Sequence, residues 1–225
     1  MRTKEQHQQL TLAASPDAGR ALAHRALLGA DYAYASRSGM LDIFYGNALV
    51  HILSGELRAG QNGPVPSGFH HEPSASAIWG SGSAAQPAPT RVLLSESGAH
   101  PADENPMLPY SASVVIGGIR RTSLRRRNNK TEIVPAKNTM YPREYTAFDV
   151  IGAIQTAYEN RDMADEELHI HPRVGPRVES FGVAPIGIGD SVQMGVRLVL
   201  DFDSLKIITA VPQLAVSNIG MNIAA

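Results

Sequence analysis

Cysteine is absent from the 225-residue chain, which excludes disulfides, thiolate metal sites and cysteine nucleophiles. No run of 18 apolar residues occurs, so no helix is expected to cross a membrane. Met1 to Leu10 is polar, with three glutamines, and lacks the apolar core of a secretory signal. Neither sign of charge prevails: 20 Lys and Arg face 21 Asp and Glu, for a net charge of −1. No global field therefore draws the chain onto nucleic acid or a membrane, and an anionic partner must be held by a local patch. No Gly-X-Y period and no internal repeat is found, which sets aside collagen-like and solenoid architectures.

What is present fits a globular chain. Apolar residues make up 43% and charged residues 18%, and the length suits one large domain or one domain with an appendage. Twenty glycines and 15 prolines predict long loops. One local patch stands out: Arg120, Arg121, Arg125, Arg126, Arg127 and Lys130, with no acidic residue between them.

Ser15-Pro16-Asp17 reads as a cap, a first-turn proline and a first-turn acid of a helix that continues through Ala21, Leu22, Ala26, Leu27 and Ala30. Met40, Leu41, Phe44, Tyr45, Ala48, Leu49, Ile52 and Leu53 repeat at helical spacing and predict a second helix, ending at Gly55. From Ala59 to Pro109 the chain is rich in Gly, Pro, Ser and Ala and reads as a functional loop or an insertion, with short strands at 77–79 and 91–94. Ser111–Ile119 predicts a strand, and Thr131–Val134 a return strand, which puts the cations on a hairpin tip. Thr146 and Asp149 form a capping-box pattern ahead of a helix to about Arg161. An acidic, proline-punctuated linker leads to Val178. Three antiparallel strands follow, over 181–188, 193–200 and 205–211. Helices first and strands after give an α+β class, with N-terminal helices packed on antiparallel sheet.

Without cysteine, proton transfer near neutral pH falls to the eight histidines. The densest grouping is His51-Ile-Leu-Ser-Gly-Glu56 followed by Ser67-Gly-Phe-His70-His71, two histidine segments that a Gly/Pro turn could fold across one cleft. A single histidine on an apolar helix face is as often a core residue as a functional one. His169 and His171 alternate on a strand and share a face, but two histidines without a third ligand are a weak zinc signal.

These segments resemble the signature of the EndoU endoribonucleases, above all the bacterial EndoU toxin domains. In that family an H-[IV]-[LFY]-x-G-[ED] segment carries the first catalytic histidine and a G-[GFL]-H segment the second. Lys137-Asn-Thr-Met-Tyr141-Pro142 ahead of a helix is similar to the family's lysine and F/Y-P element. Ile207-Ile-Thr-Ala-Val-Pro212 is similar to its T-x-Y-P strand. The segments occur in family order and cover roughly Leu49 to Pro212. The departure is Val211, where the family usually has a tyrosine that packs on sugar or base; Tyr141 or Phe69 could substitute, and uridine preference stays open.

The resemblance implies an acid–base pair of His51 and His70, Lys137 as the cation at the scissile phosphate and Thr209 as a polar contact to the nucleotide. It implies no cofactor and no metal. His71 is then a supporting hydrogen bonder or, with Glu72, part of a metal site. Given an RNA substrate, Arg125, Arg126 and Arg127 become phosphate contacts, and Trp79, Tyr110 and Tyr141 become stacking candidates. The implied reaction is attack of a ribose 2′-OH on its own phosphodiester, which yields 2′,3′-cyclic phosphate and 5′-OH ends and which DNA cannot undergo. Bacterial relatives are often C-terminal payloads of large secreted or cell-surface toxins used in contact-dependent growth inhibition. They act in the target-cell cytoplasm, commonly on tRNA, and a cognate immunity protein blocks them. On that pattern residues 1–40 would be a helical entry segment and residues 41–225 the nuclease domain, with no membrane insertion. Two alternatives stand beside it: a metal-dependent hydrolase using His70, His71 and Glu72, and a non-catalytic module binding RNA or a protein partner.

Overall fold

The computed structural model describes residues 16–60, 63–83, 85–127, 130–171, 175–186 and 192–218. Helix α1 (Pro16–Leu28) has Asp17 in its first turn and Arg25 in its last, both favourable to the helix dipole; Ser15, its expected cap, lies outside the described residues. A 3-10 turn leads into α2 (Tyr32–Arg37). The helix expected from Met40 begins later, as α3 (Ala48–Ser54). Residues 43–45 are used differently: the Tyr45 N–H donates to the Ile207 carbonyl (2.9 Å) and the Ile207 N–H to the Ile43 carbonyl (2.7 Å). Backbone groups engaged with another segment cannot also form a helix ladder, and Met40 and Phe44 reach the core without one.

The segment expected to be loop holds regular structure. Strands β1 (Glu56–Gly60) and β2 (Gly63–Ser67) form a hairpin, and α4 (Glu72–Trp79) stands where a strand was expected at 77–79. Proline in its first turn and an acid at its start favour that helix. Strand β3 (Arg91–Val92) pairs with β4 (Tyr110–Ile116), which also pairs with β5 (Ile119–Arg120) and with β8 (Lys137–Met140). Between them β6 (Thr122–Arg127) and β7 (Lys130–Pro135) form a separate two-stranded hairpin: the return strand pairs with the arginine run itself and not with 111–119 as expected, and Arg125, Arg126, Arg127 and Lys130 occupy its outer half.

Helix α5 (Ala147–Glu159) carries the full capping box: the Asp149 N–H donates to Thr146 Oγ1 (3.1 Å), and the Thr146 N–H to Asp149 Oδ2 (2.8 Å). The expected acidic linker contains β9 (Glu167–His171). It joins β10 (Gly175–Pro185), β11 (Val192–Asp201) and β12 (Ile207–Asn218) in an antiparallel sheet of order β12-β11-β10-β9. One face of this sheet is buried: Val178, Ser180, Ala184, Met194, Val196, Leu198 and Leu200 point into the main core. A side chain at Gly182 would overlap the Ala157 carbonyl, so α5 lies hard against that face. The opposite face is open along β10, where Phe181 and Val183 are exposed, and closed toward β12, where Thr209 Oγ1 is buried.

The α+β class follows directly: helices packed on antiparallel sheets. Leu27, Leu28, Ala35 and Met40, N-terminal to residue 41, share the main core with α3, α5 and the sheet. A second, smaller core gathers Phe69, Ala75, Val92, Ala102, Tyr110, Val114, Ile116 and Met140 around β4. Among the described residues no helix is long and apolar enough to cross a membrane. Thr146→Ala should cost about 1 kcal/mol by removing the cap of α5, measured by chemical denaturation; an unchanged midpoint would show that the cap adds nothing to the fold.

Candidate active site

Helix α3 ends inside the protein, where its last carbonyls need partners. The loop after β2 supplies them. The Phe69 N–H donates to the His51 carbonyl (2.9 Å) and the His70 N–H to the Ile52 carbonyl (2.7 Å). Gly68 makes this approach possible: its φ is +71°, and an added Cβ would overlap the His51 carbonyl oxygen and lie 2.8 Å from His51 Nδ1. Phe69 also has a positive φ, +68°, without being glycine. From the other side, Asn138 Nδ2 donates to the Gly68 and Phe69 carbonyls (2.7 and 2.8 Å), and the Tyr141 N–H donates to the His70 carbonyl (2.7 Å). The Arg121 guanidinium donates to Asn138 Oδ1. The two histidine segments are thus joined main chain to main chain.

Each of the two imidazoles is anchored through Nδ1. For His70 the partner is the Thr139 carbonyl, at 2.7 Å. A carbonyl only accepts, so Nδ1 carries the hydrogen and Nε2 the lone pair. For His51 the near partner is Glu56 Oε1, at 3.1 Å, with Arg58 Nη2 at 3.3 Å from the same nitrogen. Burial raises the Glu56 carboxyl, but hydrogen bonds from His51 and Arg58, and their charges, outweigh it and bring it to about 2. An ionised Glu56 accepts from His51 Nδ1–H and from Arg58 Nε (2.5 Å), so the Arg58–His51 approach is proximity between two donors. Neither Nε2 is engaged by a described hydrogen-bond partner. Burial pushes His70 down to about 3; the Thr139 carbonyl opposes this, and the charges of His51, Arg121 and Arg197 add to it. His70 is neutral at any ordinary pH.

His71 is placed differently. Its Nδ1 lies 2.7 Å from Ser74 Oγ and its Nε2 2.8 Å from the Tyr145 carbonyl, so both ring nitrogens are occupied in a buried structural role. Glu72 turns to His100 Nε2, at 2.8 Å. The trio His70, His71 and Glu72 therefore does not converge on one point. Among the described residues no three His, Asp or Glu side chains are grouped to hold a metal ion. His169 stands 3.2 Å from Glu167, and the His171 side chain lies outside the described residues.

Lys137 makes no described hydrogen bond with the histidines: it is exposed, on the face of β8 opposite Asn138 and shared with Thr139, whose carbonyl anchors His70. The cations nearest His70 in effect are Arg121 and Arg197. Tyr141 and Phe69 are fully buried, which removes both as surfaces for a base or sugar; Tyr110 is buried, and the Trp79 Nε1–H is held by the Ser54 carbonyl (2.8 Å). Thr209 pairs with Val199 and Val211 with Arg197 on the face of the sheet away from the main core, and Thr209 Oγ1 is buried without a described partner. Glu56, Arg58, Asn138 and Arg197 had no expected role here. Glu56 and Asn138 lie inside the motif segments; Arg197 carries no local signal.

No family model, no curated protein and no solved structure matches this chain. Fold and site define an α+β protein with two anchored histidines at the junction of a helix end and a loop.

Two consequences can be measured. Gly68→Ala should lower stability by at least about 2 kcal/mol, since it combines left-handed strain with a clash against α3; an unaffected denaturation midpoint would mean that the loop is not clamped there. Burial also holds His71 down at about 4, with the Tyr145 carbonyl opposing. Once unfolded, His70 and His71 protonate near 6.5, so below that pH the unfolded chain binds more protons than the folded one. Stability should fall on acidification below about 6.5, by up to ~1.4 kcal/mol per pH unit for each of the two. Urea titrations at about pH 7 and about pH 5 read this, and equal stabilities would mean that both rings titrate normally in the fold.

Proposed function

We propose that the chain is an EndoU-like endoribonuclease that cleaves RNA by 2′-OH transesterification without a metal. The observation that carries this reading is the pair of imidazoles, each fixed through Nδ1, each with an Nε2 that no described residue engages, on segments bonded directly to one another. In the proposed reaction neutral His70 removes the 2′-OH proton at Nε2, and O2′ forms a bond to phosphorus. The bond from phosphorus to O5′ breaks, and His51 delivers a proton from Nε2 to that oxygen. Glu56 holds Nδ1–H of His51 and faces the charge the ring bears when both nitrogens are protonated. Each transfer contributes about 10²–10⁴-fold.

In addition to Lys137, one cation for the charge developing on the phosphorane oxygens is Arg121 in this reading. It is half-buried, tied to the loop through Asn138, and felt electrostatically by His70. The cations of the β6–β7 hairpin suit RNA phosphates beyond the cut. Delivery as a toxin payload, a tRNA target and a cognate immunity protein belong to the same proposal and rest on the sequence resemblance.

End-group analysis of RNA incubated with the chain tests it. Cyclic-phosphate and 5′-OH ends are expected with EDTA present, reduced at least about 10²-fold by His51→Ala or His70→Ala, with RNA binding retained. Normal cleavage by both variants, or cleavage of the all-deoxy analogue, would overturn the proposal.

A further inference from the structure

The open face of the four-stranded sheet is unlike the rest of the surface. Phe181 on β10 is half-exposed, and it is the only phenyl, phenol or indole side chain on that face among the described residues. It lies in a cross-strand row, Phe181 opposite Arg197 and Arg197 opposite Val211, and directly paired residues share a face. Val183, two residues on and 38% exposed, stands opposite Gly195. The Gln213 side chain lies against Gly195, its Cγ 3.4 Å from where a Cβ would stand, so Phe181 and Val183 make a small apolar platform with the Gln213 amide at its flank. Beside it, the Arg197 guanidinium lies 3.3 Å from both carboxylate oxygens of Glu179.

Two features connect this platform to the histidines. Strand β12, at the Val211 end of the row, packs along β8, whose Thr139 carbonyl anchors His70. Arg197, in the middle of the row, is close enough for its charge to act on His70. With strands about 4.8 Å apart, the ring lies two strands, about 10 Å, from the β12 edge.

We propose that this platform is a subsite for a nucleobase of single-stranded RNA, stacked on Phe181, on a nucleotide flanking the one that is cut. The occupant follows from the chemistry. The platform offers a π-face, and its one central cation is already neutralised by Glu179, which disfavours a phosphate and suits an uncharged heterocycle. The Arg197–Glu179 pair then presents N–H donors and carboxylate acceptors at the rim, the complement of a base edge. This inference rests on the ribonuclease reading for its substrate, but not for its measurement.

The probe is a fluorescein-labelled 2′-O-methyl RNA hexamer, which is single-stranded and has no free 2′-OH to react. Phe181→Ala should weaken its binding about tenfold or more, while Phe181→Tyr should bind like the parent chain. Ile170→Ala, which removes a more exposed apolar side chain from the other face of the sheet, should change nothing. On cleavable RNA, Phe181→Ala should raise KM and leave kcat. Parental affinity in Phe181→Ala, or no binding of the hexamer by the parent chain, would overturn the subsite. Cleavage that depends on His51 but is indifferent to Phe181 removes this proposal and leaves the nuclease; Phe181-dependent binding without cleavage does the reverse.

Discussion

The structure turns on two hydrogen bonds. The carbonyls of His51 and Ile52, at the end of α3, accept the amide hydrogens of Phe69 and His70. A helix that stops in the interior leaves its last carbonyls bare, and a buried unpaired carbonyl is costly. The loop after β2 resolves that deficit, and in doing so it fixes the second histidine segment on the first. The distance in sequence between the two is closed by main-chain chemistry, so the arrangement does not depend on what either side chain does.

The same junction lies where the two cores meet. Leu49, Ile52 and Leu53 belong to the main core and Phe69 to the smaller one, while the chain leaving β8 passes from Met140 in the second to Tyr141 in the first. Both cores therefore hold the loop. That explains how Phe69 keeps a left-handed backbone, which costs a side-chain-bearing residue of order 1–2 kcal/mol: its ring is fully buried, its amide is bonded to α3 and its carbonyl to Asn138. Burial on this scale also strips water from His70 and keeps it uncharged. Glu56 sits at the rim with Arg58, ionised, so the two rings of one site are given opposite electrostatic surroundings.

Much of the frame was legible in the residues themselves. The Thr146 capping box and the alternation of the C-terminal strands are local patterns, and each formed as read; the cations fell on a hairpin too, but one whose first strand is the arginine run itself. The failures were contests that local pattern does not decide. The Met40–Leu53 periodicity was real, but residues 43–45 paired with the edge of β12 and the helix lost its first half. The stretch at 77–79 became a helix because the turn before it starts one, and the residues between 59 and 109 were mostly ordered by packing around β4.

For the site, the sequence by itself determined which residue types were available and in which segments: two histidines on either side of a Gly/Pro turn, Glu56 close behind the first, Asn138 beside Lys137. Only the tertiary structure decided which of them meet. Strand alternation put Asn138 inward and left Lys137 exposed on the other face of β8, burial closed off Tyr141 and Phe69, and His71 lost both ring nitrogens to neighbours. Arg197, from a strand remote in sequence, came near enough for its charge to bear on His70. The physical reason is that identity and periodicity are properties of the chain, whereas direction, burial and charge environment belong to surfaces that exist only once distant segments have packed.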